Sequence, residues 1–206
     1  MQDSYKYKTI INASTGEFKD RGSKFFAFAY PINSVQDVKE KLQVLKKEHP
    51  KAVHHCFAYR IGTDGKQYRA NDDGEPSGSA GRPILGQIDS AGLTNVLVVI
   101  VRYFGGTLLG VPGLINAYKT ATALAFEAVE TIEKWIEDSV QVNFDYPTIS
   151  EVLYLLKLSE ASIYEQDLQL FCIIKAGIPR KHSGTYIQRL SEIRGVVVKK
   201  IVEDEQ

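Results

Sequence analysis

Residues 71–83, NDDGEPSGSAGRP, place acids directly before a glycine–serine loop. Asp72, Asp73 and Glu75 surround Gly74. Carboxylate oxygens so spaced suit Mg²⁺, although the spacing is not that of an EF-hand loop. Arginines on neighbouring strands, Arg60, Arg69 or above all Arg102, would instead consume these acids as ion pairs. Ser77, Gly78, Ser79 and Gly81, followed by Arg82, are residues that suit an anion at a helix N-terminus. A second stretch, Arg102-Tyr103-Phe104-Gly105-Gly106 running on to Gly110, adds a cation and aromatics at a strand end. The plainer alternative is that the glycines make tight turns and the aromatics fill the core. Acids beside an anion cradle repel a bare phosphate, so two arrangements are coherent. Mg²⁺ bridges the acids to a phosphate, or arginines neutralise them and leave the loops as a shaped docking edge. The second needs no metal and is preferred.

Other chemistry fails on spacing. Gly105 and Gly110 are spaced as in a phosphate-binding P-loop, as are Gly81 and Gly86, but neither pair is followed by Lys and Ser/Thr. Ser77-Gly78-Ser79-Ala80-Gly81 lacks the first glycine of a serine nucleophile elbow, and Ser79 reads as a helix cap. His54-His55-Cys56 holds good zinc ligands, but on a strand His55 faces away from the other two, which leaves too few.

These residues must be held by strands and helices that the pattern marks out. Residues 5–12 and 23–31 read as strands, and Ser34 as the cap of a helix carrying Val35, Val38, Leu42 and Leu45 up to His49-Pro50. Residues 53–62 alternate as a strand, with a turn at 63–65 and a short returning strand. A short helix follows from Arg82, with Pro83 in its first turn. Residues 95–104 form a continuous apolar strand for the sheet centre. The next helix opens at Pro112, with Leu114, Tyr118, Ala121, Ala125, Ala128 and Ile132 on one narrow face. If one sheet face is open, Phe57, Tyr59, Tyr68 and Arg60 would stack bases there. From residue 136 the order βαββαβ restarts, with a turn at Gln166-Asp167 and a closing strand over 195–202. That order is the ferredoxin-like pattern. The expected domains are 1–135 and 136–206.

The chain of 206 residues has a formal net charge of zero, which argues against a strong non-specific nucleic-acid binder. Its two cysteines, Cys56 and Cys172, lie in separate apolar runs and read as reduced, buried thiols. No signal-length apolar run opens the chain, and the longest one, residues 96–101, is too short to span a bilayer. A cytoplasmic protein with no membrane association is expected, with a monomer as the default.

Three segments, HHCFAYRIG at 54–62, NDDGEPSGSAGRPIL at 71–85 and VIVRYFGGTLLG at 99–110, resemble the YigZ/IMPACT family. The resemblance covers roughly residues 15–130, and residues 136–203 resemble the small domain that follows in bacterial members. It implies an α+β fold: a two-layer α/β sandwich similar to a ribosomal-protein and elongation-factor domain superfamily, then a ferredoxin-like domain. The family's eukaryotic member regulates translation through the activator of a starvation kinase. It does so with an additional N-terminal domain, so that partner is not expected to carry over. Many bacterial relatives have lysine where this chain has Leu108, and Val111-Pro112-Gly113 replaces a more glycine-rich string. Both departures weaken a grip on phosphate.

The expected function is a non-enzymatic, translation-associated binding protein. It would dock on the ribosome, structured RNA or a translation factor through the two glycine loops, and no cofactor is required. One alternative is an Mg²⁺-dependent enzyme acting on a phosphorylated or nucleotide substrate. Another is a protein–protein adaptor without RNA.

Overall fold

The computed structural model describes residues 5–201. Its contacts divide the chain into two compact units, Tyr7–Lys134 and a second formed by Met1–Lys6 with Trp135–Gln206. Both are of mixed α+β type. No helix among the described residues is long and apolar enough to cross a membrane.

The first unit is built on an antiparallel five-stranded sheet in the order β2-β3-β6-β4-β5. Its strands are β2 (Ser14–Asp20), β3 (Ser23–Pro31), β4 (His54–Ile61), β5 (Gln67–Asn71) and β6 (Val96–Tyr103). The apolar β6 is central, and Val96–Val101 are fully buried. A strand without polar alternation needs cover on both faces, and it has it. On one face, helices α2 (Gly81–Ser90) and α3 (Gly110–Glu127) close a core with Phe25, Ala58 and Ile100. On the other, helix α1 (Val35–Glu48) packs Val38 and Leu45 over Tyr59, Leu97 and Val99.

The open face considered for base stacking is therefore absent around Tyr59. Phe57 packs against the core under α1, and Arg60 bonds to Asp89 while lying over the Tyr68 ring.

Local chemistry sets the helix boundaries. Ser34 caps α1 in a reciprocal box: its Oγ accepts from the Asp37 N–H at 3.2 Å, and Asp37 Oδ2 accepts from the Ser34 N–H at 3.0 Å. Helix α3 lies unusually close to β2. A Cβ on Gly16 would sit 2.6 Å from the Ala125 nitrogen, so only glycine fits there. Ala117, Ala121 and Ala125 give the helix a thin, fully buried face that allows this approach.

Two elements differ from the sequence reading. Ser14–Asp20 is an edge strand whose alternating polar residues resemble a loop in sequence. Helix α3 ends at Glu127, so Ile132 is not on its face but in β7 (Thr131–Trp135), which pairs with β1 (Lys6–Ile10). No glycine or proline marks that stop in the sequence, and the pairing with β1 provides it.

The second unit carries a four-stranded antiparallel sheet in the order β11-β8-β10-β9. Its strands are β8 (Glu137–Asp145), β9 (Ser162–Leu168), β10 (Phe171–Pro179) and β11 (Val197–Lys200). Helices α4 (Ile149–Leu158) and α5 (Ser183–Glu192) complete the ferredoxin-like order. The hairpin turn falls after Leu168 rather than at Gln166-Asp167. Strand β9 runs on through those polar residues, which pair with β10. Val202, the last residue of the expected closing strand, lies outside the described residues.

Candidate functional site

The first glycine loop is folded around its own carboxylate. Asp72 Oδ1 accepts from the N–H groups of Ala80 at 3.0 Å and Gly81 at 2.8 Å, and Oδ2 accepts from that of Gly78 at 2.8 Å. These are the backbone donors that an external anion would need at the start of α2. Asp72 thus caps the helix across nine residues of chain. Ser79, read in sequence as the cap, instead donates its hydroxyl to the Pro76 carbonyl at 2.6 Å. Ser77 stands exposed on this turn, and Arg82 is exposed in the first turn of α2. Gly81 has no room for a side chain, since a Cβ there would lie 2.5 Å from the Asn71 nitrogen.

The other two acids point elsewhere. Asp73 adopts a left-handed φ of 44°, unusual for a residue with a Cβ, and its amide donates to the Asn71 side chain at 2.8 Å. Its Oδ2 accepts from the His55 backbone N–H at 2.6 Å. Glu75 is only 8% exposed. Its Oε1 accepts from Arg102 at 2.6 Å and from the Tyr118 hydroxyl at 2.7 Å. Among the described residues, no three His, Cys, Asp or Glu side chains are placed to hold one metal ion. The carboxylates of Asp72, Asp73 and Glu75 serve, respectively, a helix start, a strand amide and a buried ion pair, the last being the arrangement preferred from sequence.

The second glycine stretch is divided by strand alternation. Arg102 is 5% exposed and faces Glu75, whereas the Tyr103 hydroxyl meets His49 Nδ1 at 2.9 Å on the α1 side. Phe104 returns to the Arg102 side, with its ring 5.8 Å from the guanidinium. Gly105 presses on the turn before β3, where a Cβ would come within 1.9 Å of the Gly22 carbonyl carbon. Its N–H donates to Ser23 Oγ at 3.1 Å. Gly106 and Gly110 both take positive φ, 87° and 71°. The chain then enters α3 with no side-chain cap.

Between these parts lies a cleft of about 340 Å³. Arg102, Glu75 and His54 form its polar floor, and Val53, Phe104, Leu108 and Val111 line it towards solvent. Leu108 is 81% exposed. The floor is electrically self-contained, because Arg102 and Glu75 neutralise each other away from water. Beneath it, Cys56 Sγ lies 2.9 Å from the Asp72 carbonyl oxygen and 3.2 Å from the Tyr118 hydroxyl. Burial raises both the Cys56 thiol and the Tyr118 phenol well above their ordinary values, so both stay protonated at neutral pH. Tyr118 accordingly donates to Glu75 and does not compete with it for charge.

His54 completes the floor. Its Nδ1 is 2.7 Å from the Asp73 carbonyl oxygen, which can only accept, so Nδ1 carries the hydrogen. Its Nε2 lies 3.9 Å from Glu75 Oε2. The structure thus gathers Glu75, Arg102, Phe104 and Gly110 at one cleft. It leaves Ser77, Gly78, Ser79, Gly81 and Arg82 in the neighbouring turn and Tyr103 on the other face. His54, Cys56 and Tyr118 were not among the docking residues expected from sequence. The period-two alternation of β4, which puts His54 and Cys56 on one face, was the signal that would have found two of them.

Residues 21–126 match the Impact N-terminal domain family. The chain is 32% identical over 189 residues to an IMPACT family member from Haemophilus influenzae, covering 91% of this chain and 92% of that one. It is 30% identical over 172 residues to the IMPACT family member YigZ of Escherichia coli, covering 82% and 84%. A crystal structure of a hypothetical protein superposes with a TM-score of 0.74 at 27% identity, over 97% of this chain and 99% of that one.

Proposed function

The chain belongs to the IMPACT family, and from that premise we propose that it is a non-enzymatic binding protein of translational regulation. It docks on a protein surface of the ribosome or of a translation factor through the cleft between its glycine loops. The translational setting is the one the family resemblance implies. The carrying observation is the apolar mouth of Val53, Phe104, Leu108 and Val111 around a floor whose charges cancel. Exposed apolar side chains gathered at a concave site favour a protein partner. A phosphate backbone is less well served. Asp72 occupies the donors of the first loop, and Pro112 removes one N–H from the first turn of α3.

Co-sedimentation with ribosomes across a salt series tests this reading. Leu108→Asp is expected to weaken association at least about tenfold, as loss of an interface anchor does. Arg82→Ala should change it little. A second reading, contact with structured RNA, rests on exposed Arg82, which has no ion-pair partner among the described residues. Steeply salt-dependent binding lost in Arg82→Ala would select that reading. No association at low salt would overturn ribosome docking.

A further inference from the structure

Two features of the cleft floor have no use in the fold. Glu75 Oε2 has no hydrogen-bond donor among the described residues, since Arg102 and Tyr118 both bond to Oε1. His54 Nε2 stands 3.9 Å from it, too far for a mutual hydrogen bond, and has no other partner among the described residues. An unpaired carboxylate oxygen and an unpaired ring nitrogen are thus left on a floor enclosed by apolar walls. Buried polar groups are costly when unpaired, so such a floor favours a ligand that pairs them.

We infer that the cleft receives a tyrosine side chain of the docking partner, with its hydroxyl on Glu75 Oε2 and His54 Nε2. A phenol is apolar along its ring, its O–H donates to the unpaired Glu75 oxygen, and its oxygen lies within reach of the His54 ring nitrogen beside it. A phenylalanine leaves the floor unpaired. A lysine brings a third charge beside an already neutral pair, next to the Arg102 cation. The exposed rim identifies a protein as the source: a free phenol would leave Leu108 and Val111 in water, whereas a surface presenting the tyrosine covers them. This assignment rests on the docking reading above but is tested apart from it.

The test uses the full chain and three small probes: p-cresol, toluene and 4-methylanisole. Binding is followed by amide chemical shifts at His54 and Gly110. p-Cresol should give saturable shifts at both positions. Toluene and 4-methylanisole, which lack the donor, should bind about tenfold or more weakly. Leu108→Asp should weaken all three probes alike, which separates wall from floor. Equal binding of p-cresol and 4-methylanisole would overturn the tyrosine assignment, as would shifts confined to other surfaces or no saturable shift. Should the probes discriminate while Leu108→Asp leaves ribosome association intact, the docking reading fails and the tyrosine site stands. Should Leu108→Asp abolish association while the probes bind alike, the docking reading stands and this assignment falls.

Discussion

The two glycine loops enter helices in the same way and are finished in opposite ways. The first, between β5 and α2, carries its own anion: Asp72 fills the backbone donors of the turn. The second, between β6 and α3, has no side-chain cap and turns Leu108 and Val111 outward. One loop is spent on holding the fold, while the other is held by the fold and free to meet something else. Glycine content alone does not mark a binding loop; what matters is whether the chain itself satisfies the donors.

The sharpest test of that contrast is the ion pair joining the loops. Arg102→Met would leave Glu75 buried without its cation. A loss of about 3–5 kcal/mol is expected, visible as a large drop in thermal midpoint. A drop no larger than that of a surface variant would mean that the pair is not what closes the floor. Asp72→Ala should come next, at about 1–3 kcal/mol, because N–H groups lose a charged acceptor at a helix start. Asp72→Asn keeps the shape and should recover part of the loss. On the second loop, Leu108→Asp should stay within about 0.5 kcal/mol of the parent in chemical denaturation while association falls. Equal destabilisation by the Asp72 and Leu108 variants would erase the distinction between the loops.

A smaller effect concerns pH. Burial holds His55 below its ordinary value, and its Nε2 has no partner. The folded state therefore prefers neutral His55, while the unfolded chain takes up a proton below about pH 6.5. Stability should be complete above that pH and fall as the pH drops through it. His55→Asn should flatten the slope in a denaturation series from pH 7 to 5.

Much of this architecture is legible in the residues. The apolar run of β6 announces a central strand, and Ser34 with the following turn announces α1. The βαββαβ order of the second unit can be read from pattern alone. Most of the misreadings were settled by a partner that the local pattern does not show. The end of α3 is set by the pairing of β7 with β1, and Ser14–Asp20 becomes a strand because β3 lies beside it. Ser79 fails as a cap because Asp72 reaches the same amides first. At the cleft, strand alternation placed Arg102 and Tyr103 on opposite faces, a division that the contiguous sequence conceals. Tyr118 could not be tied to Glu75 without the fold, since 43 positions separate them.

The contact of Gly105 with Gly22 bears on how such a site changes over generations. The second loop is fastened at its base by backbone lying against backbone, where no side chain has room. Its outward residues contribute little to that fastening. Positions 108 and 111 can therefore drift through many residue types while the chain still folds. A duplicated copy could exchange one partner for another by substitutions at the tip alone, and folding would not stand in the way.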